Sequence, residues 1–232
     1  MSVSSYNLNS LKTPILENGD LLSRAEFERR YQRMPSLKKA ELIEGIVYIA
    51  SPLRFESHAE PHANLMGCLW NYKIATPGVR LGDNPTVRLD LDNEPQPDVV
   101  LLIDSNCGGQ SRLDNEGYIE GAPELVVEIA ASTASIDLRD KKRVYRRNGV
   151  KEYLVWQVSN QRFDWFSWQE GEYISVEPDA QGIIRSQVFP GLWLAIAALL
   201  GGNMLEVMET LQTGLASKDH QEFVGKLDNV FE

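Results

Sequence analysis

Between Pro97 and Tyr145 the chain sets charged side chains into stretches that otherwise read as buried β-structure. Pro97-Asp98-Val99-Val100-Leu101-Leu102 is an apolar run opened by an acid, and Pro123-Glu124-Leu125-Val126-Val127-Glu128-Ile129-Ala130 is a second with an acid near its end. Both runs are short, rich in Val and Leu and bounded by turn residues, which is the pattern of a buried strand. A carboxylate is rarely buried there without a partner or a metal. The segment just downstream, Asp137-Leu138-Arg139-Asp140-Lys141-Lys142-Arg143-Val144-Tyr145, can supply the partner. It reads as a helix running to Asn148-Gly149, a good C-cap. Two acids and a lysine converging on one point make a site for a hard cation with a positive group beside it. That is the chemistry of metal-assisted phosphodiester hydrolysis.

The rest of the chain bounds this reading. At 232 residues, with 43% hydrophobic and 24% charged residues, the composition is that of one globular domain with a substantial core. The expected division is a loose arm over residues 1–18, a single domain over 19–215 and a polar tail over 216–232. Cys68 and Cys107 are too few for a disulfide framework and suit a reducing interior. No signal peptide and no apolar run of membrane-spanning length is evident, so the expected location is cytoplasmic. A net charge of −10 argues against nonspecific nucleic-acid binding, yet Arg139, Lys141, Lys142, Arg143, Arg146 and Arg147 crowd into a local basic segment. For an isolated charge run, a solvated helix face is the commoner outcome. Here the run follows an acidic strand end, which favours the functional reading.

Other elements follow from pattern. Ser23 with Glu26 reads as a capping box for a helix reaching about Arg33. Glu41 to Ile49 reads as a strand or hairpin kinked at Gly45, with Glu41 and Glu44 exposed. Residues 56–75 form an amphipathic helix with His58 and His62 on one face. A zinc site there lacks a third ligand, so packing or hydrogen bonding is the favoured role. Thr86 to Asp92 alternates as a half-buried strand, and 104–122 reads as a mobile loop able to cover substrate. Val150 to Val158 is another strand. Arg162 to Trp168 and Glu172 to Val176 form a meander, and its aromatic residues pack the sheet. An apolar helix begins near Leu194.

Taken together, Pro97-Asp98, Val126-Val127-Glu128-Ile129, Asp137, Lys141, Tyr145, Gly149-Val150 and Glu152-Tyr153 resemble the Uma-type family of restriction endonucleases, within the PD-(D/E)XK nuclease superfamily. The likeness runs from about Glu41 to Leu199, and Pro190-Gly191-Leu192 resembles the family's closing segment. It implies an α/β (α+β) restriction-endonuclease-like core, a central mixed β-sheet flanked by helices. It implies hydrolysis of DNA by a homodimer, with Asp98 and Glu128 holding Mg²⁺ or Mn²⁺ and Lys141 completing the catalytic set. Lys142, Arg143 and Arg146 would contact flanking phosphates. Glu44 resembles an additional family acid, and Gln157 stands where many relatives have an acid. In the superfamily the lysine usually lies two residues after the second acid, where this chain has Ala130; the expectation is that it has moved to the helix.

Three readings of different kinds remain in view. One is a metal-dependent endonuclease; another is a catalytically impaired nucleic-acid- or protein-binding module on the same fold, favoured by Ala130 and the acidic net charge. The third is an enzyme acting on nucleotides or another phosphodiester. Apart from the resemblance, Glu128 and Lys141 also read as an ion pair within an α/β core.

Overall fold

The computed structural model describes residues 13–131 and 133–228. In chain order the elements are α1 (Arg24–Tyr31), β1 (Ala40–Ile43), β2 (Ile46–Ile49), α2 (Glu60–Ala75), β3 (Val79–Asp83), β4 (Val87–Arg88), β5 (Val99–Ile103), β6 (Arg112–Leu113), β7 (Ile119–Glu120) and β8 (Leu125–Ala130). There follow α3 (Ala134–Ile136), α4 (Lys142–Asn148), β9 (Glu152–Gln157), β10 (Arg162–Gln169), β11 (Glu172–Ser175), β12 (Ile183–Arg185), β13 (Trp193–Ala195), α5 (Ile196–Leu200), α6 (Met204–Leu215) and α7 (Lys218–Asp228).

The main sheet has six strands in the order β11-β10-β9-β8-β5-β3. Only β8 and β9 run parallel, Glu128 facing Val155, and the other pairs are antiparallel. A parallel pair needs a crossover, and residues 131–151, carrying α3, a wide π turn over Asp137–Lys141 and α4, provide it. Gly149 ends α4 at φ 82°, as the Asn-Gly pair predicts.

Because side chains alternate along a strand, β8 divides its residues between two cores. Leu125, Val127 and Ile129 face a large cluster with Leu65, Leu69 and Tyr72 of α2 and Val207 and Leu211 of α6. Val126 and Ala130 face a second cluster with Tyr145, Tyr153 and Val155. Glu128 shares this second side, which α4 covers. The meander aromatics divide likewise, Phe163 and Trp165 to the first core and Phe166 to the second. A third cluster joins Phe27 of α1 to Ala40, Leu42 and Val47 of the β1–β2 hairpin.

Several expectations are corrected. Ser23 occupies the N-cap of α1 but no capping box forms: its side chain makes no capping bond, the Glu26 N–H donates to the Ser23 carbonyl instead, and the Glu26 carboxylate pairs with Arg29 and Arg30. The strand expected over Thr86–Asp92 is regular only at Val87–Arg88, and it pairs with β7. The segment 104–122 is not a free flap: β6 and β7 pair within it, Glu124 fixes the backbone N–H groups of Ile103 and Gln110, and Arg88 reaches Asp114 and Glu116. The apolar helix expected from about Leu194 starts at Ile196, since Trp193–Ala195 pair with Ile183–Arg185 first. Of the expected arm, residues 1–12 lie outside the described residues, while Leu16 is buried against the third cluster. Beyond Ser217 the chain forms α7, whose Leu227 and His220 are buried.

Candidate functional site

Asp98 and Glu128 meet because of strand register. Val99 of β5 lies opposite Val127 of β8, so the next residues along, Asp98 and Glu128, stand across from each other where the ladder ends. The Asp98 side chain takes over from the backbone there: its Oδ2 accepts the Ile129 N–H at 2.7 Å. The same oxygen lies 3.2 Å from His58 Nε2, and Oδ1 lies 3.2 Å from Lys39 Nζ. Burial by itself would raise the Asp98 pKa, but the His58 hydrogen bond, the Lys39 charge and the Ile129 N–H hold it well below the usual carboxylate range.

On the other side, Glu128 Oε1 accepts from Lys141 Nζ at 3.0 Å and from the Tyr145 hydroxyl at 2.9 Å. Lys141 also lies 2.9 Å from Glu41 Oε1 and 3.8 Å from Asp137 Oδ1. The π turn over Asp137–Lys141, wider than an α turn, is the stretch of the crossover that carries both Asp137 and Lys141 to the cluster. Burial pushes the Glu128 carboxyl well up, Lys141 opposing it while Asp137, Asp98 and Glu41 add to it. Lys141 is buried too, yet Glu128, Glu41 and Asp137 keep it protonated. Asp137 is raised by burial, although Lys141 and the Thr133 hydroxyl draw it back.

The expected residues therefore separate into two groups. Asp98, Glu128 and Lys141 come together. Lys142 lies over the Phe166 ring, Arg143 pairs with Asp140, and Arg146 pairs with Glu172. Glu44, in the β1–β2 turn, pairs with Arg147 rather than with the acid cluster. Gln157 donates to Asp164 and accepts from Asn160, so both ends of its amide are engaged away from Glu128.

Three residues were not expected in the cluster. Glu41, read as exposed, is buried and accepts the Gln96 N–H at 2.7 Å. Its signal was available, since an acid within Ala40-Glu41-Leu42-Ile43 repeats the anomaly of Glu128. His58 hydrogen-bonds as favoured, but its partner is Asp98. Lys39 had no signal, being one of two lysines ahead of a strand.

Four carboxyl groups, those of Glu41, Asp98, Glu128 and Asp137, thus surround two ammonium groups, Lys39 and Lys141. Four acids against two ammonium groups, offering oxygen donors, suit a divalent hard cation, whose charge would oppose the burial and mutual repulsion that push Glu128 and Asp137 up. Among the described residues no group of three or more His, Cys, Asp or Glu side chains is arranged to hold a metal alone. Mg²⁺ is commonly held by one or two carboxylates, with water and substrate phosphate completing the shell. The Asp98–Glu128 pair fits that mode.

A mixed sheet flanked by helices, with an acid pair at the ends of adjoining strands, defines a restriction-endonuclease-like fold. Residues 24–197 match the family described as "Uma2: Putative restriction endonuclease", and the chain belongs to that family. The fold is shared with the crystal structure of a "putative nuclease belonging to DUF820" from Anabaena variabilis. The two superpose with a TM-score of 0.54 over 79% of this chain and 97% of that one, at 14% sequence identity. No curated protein matches the sequence.

Proposed function

We propose that this chain is a metal-dependent endonuclease that hydrolyses DNA phosphodiester bonds, with Asp98 and Glu128 as the ligands of Mg²⁺ or Mn²⁺. The observation that carries the reading is the cross-strand placement of Asp98 against Glu128 within a cluster whose acids outnumber its cations. The ion would supply a bound water of lowered pKa and neutralise charge developing on the scissile phosphate. The Ile129 N–H orients Asp98, while Lys141 and Tyr145 orient Glu128. Lys142, Arg143 and Arg146 would meet flanking phosphates. The ion pairs of Arg143 and Arg146 are at least partly exposed, and pairs of that kind are worth only ~0–1 kcal/mol, so they yield to a phosphate. A homodimer would place two such sites on the two strands of a duplex.

Cleavage of supercoiled plasmid and of single-stranded DNA, with Mg²⁺ or Mn²⁺, tests this together with calorimetric Mn²⁺ binding. Wild-type protein is expected to nick plasmid only with metal, and Asp98→Asn to lose both nicking and Mn²⁺ binding while keeping its circular dichroism. Ala130 at the usual lysine position favours a second reading, a binding module on a nuclease fold. Absence of both cleavage and metal binding in the wild type would make that the better answer.

A further inference from the structure

Two lysines reach the acid pair, and their surroundings differ. The Lys141 side chain is 6% exposed, and three carboxylates, those of Glu41, Glu128 and Asp137, stand within 4 Å of its ammonium. An ammonium has three N–H donors and no acceptor. With acids on every near side, Lys141 has little left to offer an incoming group, and the Glu128 oxygen it binds is also taken by Tyr145.

Lys39 stands on the Asp98 side of the cluster, just before β1. Its Nζ lies 3.2 Å from Asp98 Oδ1 and 3.1 Å from Asn84 Oδ1, and its side chain is 22% exposed. Two donors are used, and an ammonium has three. The neighbouring groups are open as well. Asn84 is exposed, the Asp83 side chain is 59% exposed, and His62 lies 3.3 Å from Asp83 Oδ1 and 3.2 Å from the Asp98 carbonyl oxygen. The acid cluster is therefore tightly paired around Glu128 Oε1 and reaches the surface beside Asp98.

We propose that Lys39, rather than Lys141, is the cation that contacts the scissile phosphate, and that the phosphate enters through the opening beside Lys39, Asn84 and His62. Lys141 is then a positioning residue, holding Glu128 and Glu41 in place. On arrival of a phosphate, Lys39 exchanges the Asp98 carboxylate for a phosphate oxygen, which leaves Asp98 Oδ1 free. This assignment rests on the nuclease reading above.

The test compares wild type, Lys39→Ala and Lys39→Arg in three measurements: steady-state plasmid nicking with Mg²⁺, Mn²⁺ affinity by calorimetry, and thermal melting. Removing one preorganised charge donor at a reacting group typically costs ~10²–10³-fold in kcat. Lys39→Ala is expected to lose roughly that much with KM little changed, and Lys39→Arg to restore a large part of it. Mn²⁺ affinity in Lys39→Ala should stay equal or rise, since a competing cation has left Asp98, and melting should fall modestly without metal, because Asp98 keeps His58 and the Ile129 N–H but loses one of its charged partners. Nicking by Lys39→Ala at the wild-type rate would overturn the assignment while leaving the nuclease reading standing. Loss of Mn²⁺ binding in Lys39→Ala would also overturn it, making Lys39 a support for the metal site. A wild type that neither nicks DNA nor binds Mn²⁺ would remove the nuclease reading and this assignment together.

Discussion

Glu128 sits between Val126 and Ala130 on the face of β8 that α4 covers, and it is tolerated there because Lys141 and Tyr145 both reach it. Removing one partner of a buried pair leaves an uncompensated charge, which costs ~3–5 kcal/mol, whereas removing both is often nearly neutral. Lys141→Met should therefore lower unfolding stability in urea by about 3–5 kcal/mol. Adding Glu128→Gln should recover part of that, though not all, because Glu41 still lies against the altered position. A Lys141→Met protein within ~1 kcal/mol of wild type would mean the buried charges are solvated or neutral rather than paired. The same residues show why part of this site was legible in advance. Asp98 and Glu128 stand out because each interrupts or opens an apolar run, and Lys141 follows at a distance a crossover helix can bridge. Lys39 and His58 interrupt nothing, and only the folded chain reveals that both converge on Asp98.

Elements follow the same division between local and distant causes. The central strands β5, β8 and β9 and the end of α4 were readable because their signals are local: apolar runs, bounding turns and an Asn-Gly stop. The strands misjudged in length depend on partners far along the chain. Thr86–Asp92 alternates throughout, yet its ladder covers only Val87 and Arg88, against β7, while Asp90 makes an isolated bridge to Asn93. Leu194 and Ala195 read as the start of a helix until Ile183 and Ile184 claim them. Helix α6 approaches the same β12–β13 hairpin closely through a glycine. A Cβ on Gly214 would lie 2.2 Å from the Gly191 carbonyl oxygen and 2.8 Å from the Trp193 ring, distances no real side chain occupies. Gly214→Ala should raise local helix propensity by ~1 kcal/mol and still destabilise the protein by about 1–3 kcal/mol through overpacking. Urea unfolding measures the balance, and a stabilised variant would show that α6 slides away from the hairpin freely.

Across the whole molecule, buried acids outside the candidate site also shape stability, and one of them ties the main sheet to the segment after β12. Glu152, at the start of β9, accepts from the Ser186 hydroxyl at 2.6 Å and the Gln187 N–H at 2.8 Å, so it anchors the segment that follows β12 to the central sheet. Burial pushes its pKa up to about 7, the hydrogen bonds from Ser186 and Gln187 only partly offsetting it. Glu94, raised to about 8 by burial and by Glu28 beside it, acts in the same direction. An acid whose pKa is higher folded than unfolded binds its proton more tightly in the native state. Its contribution is therefore fully present below about 4.5, the ordinary glutamate value, and is lost as pH rises through the folded value, about 7 for Glu152. Asp98 works the other way: held low when folded, it contributes above about 3.8, the ordinary aspartate value, and the contribution is lost as pH falls below that. Stability should accordingly rise as pH is lowered from about 8.5 to about 5 and fall again under strongly acid conditions. Glu152→Gln keeps the shape of the side chain and removes its titration. The variant should be more stable than wild type at pH 8.5 by ~2–3 kcal/mol, indistinguishable near pH 4.5, and should show a shallower slope between them. Urea midpoints across that range provide the measurement. Equal slopes in the two proteins would place the titration elsewhere, with Glu94, raised to about 8 and outside the candidate site, the next group to replace.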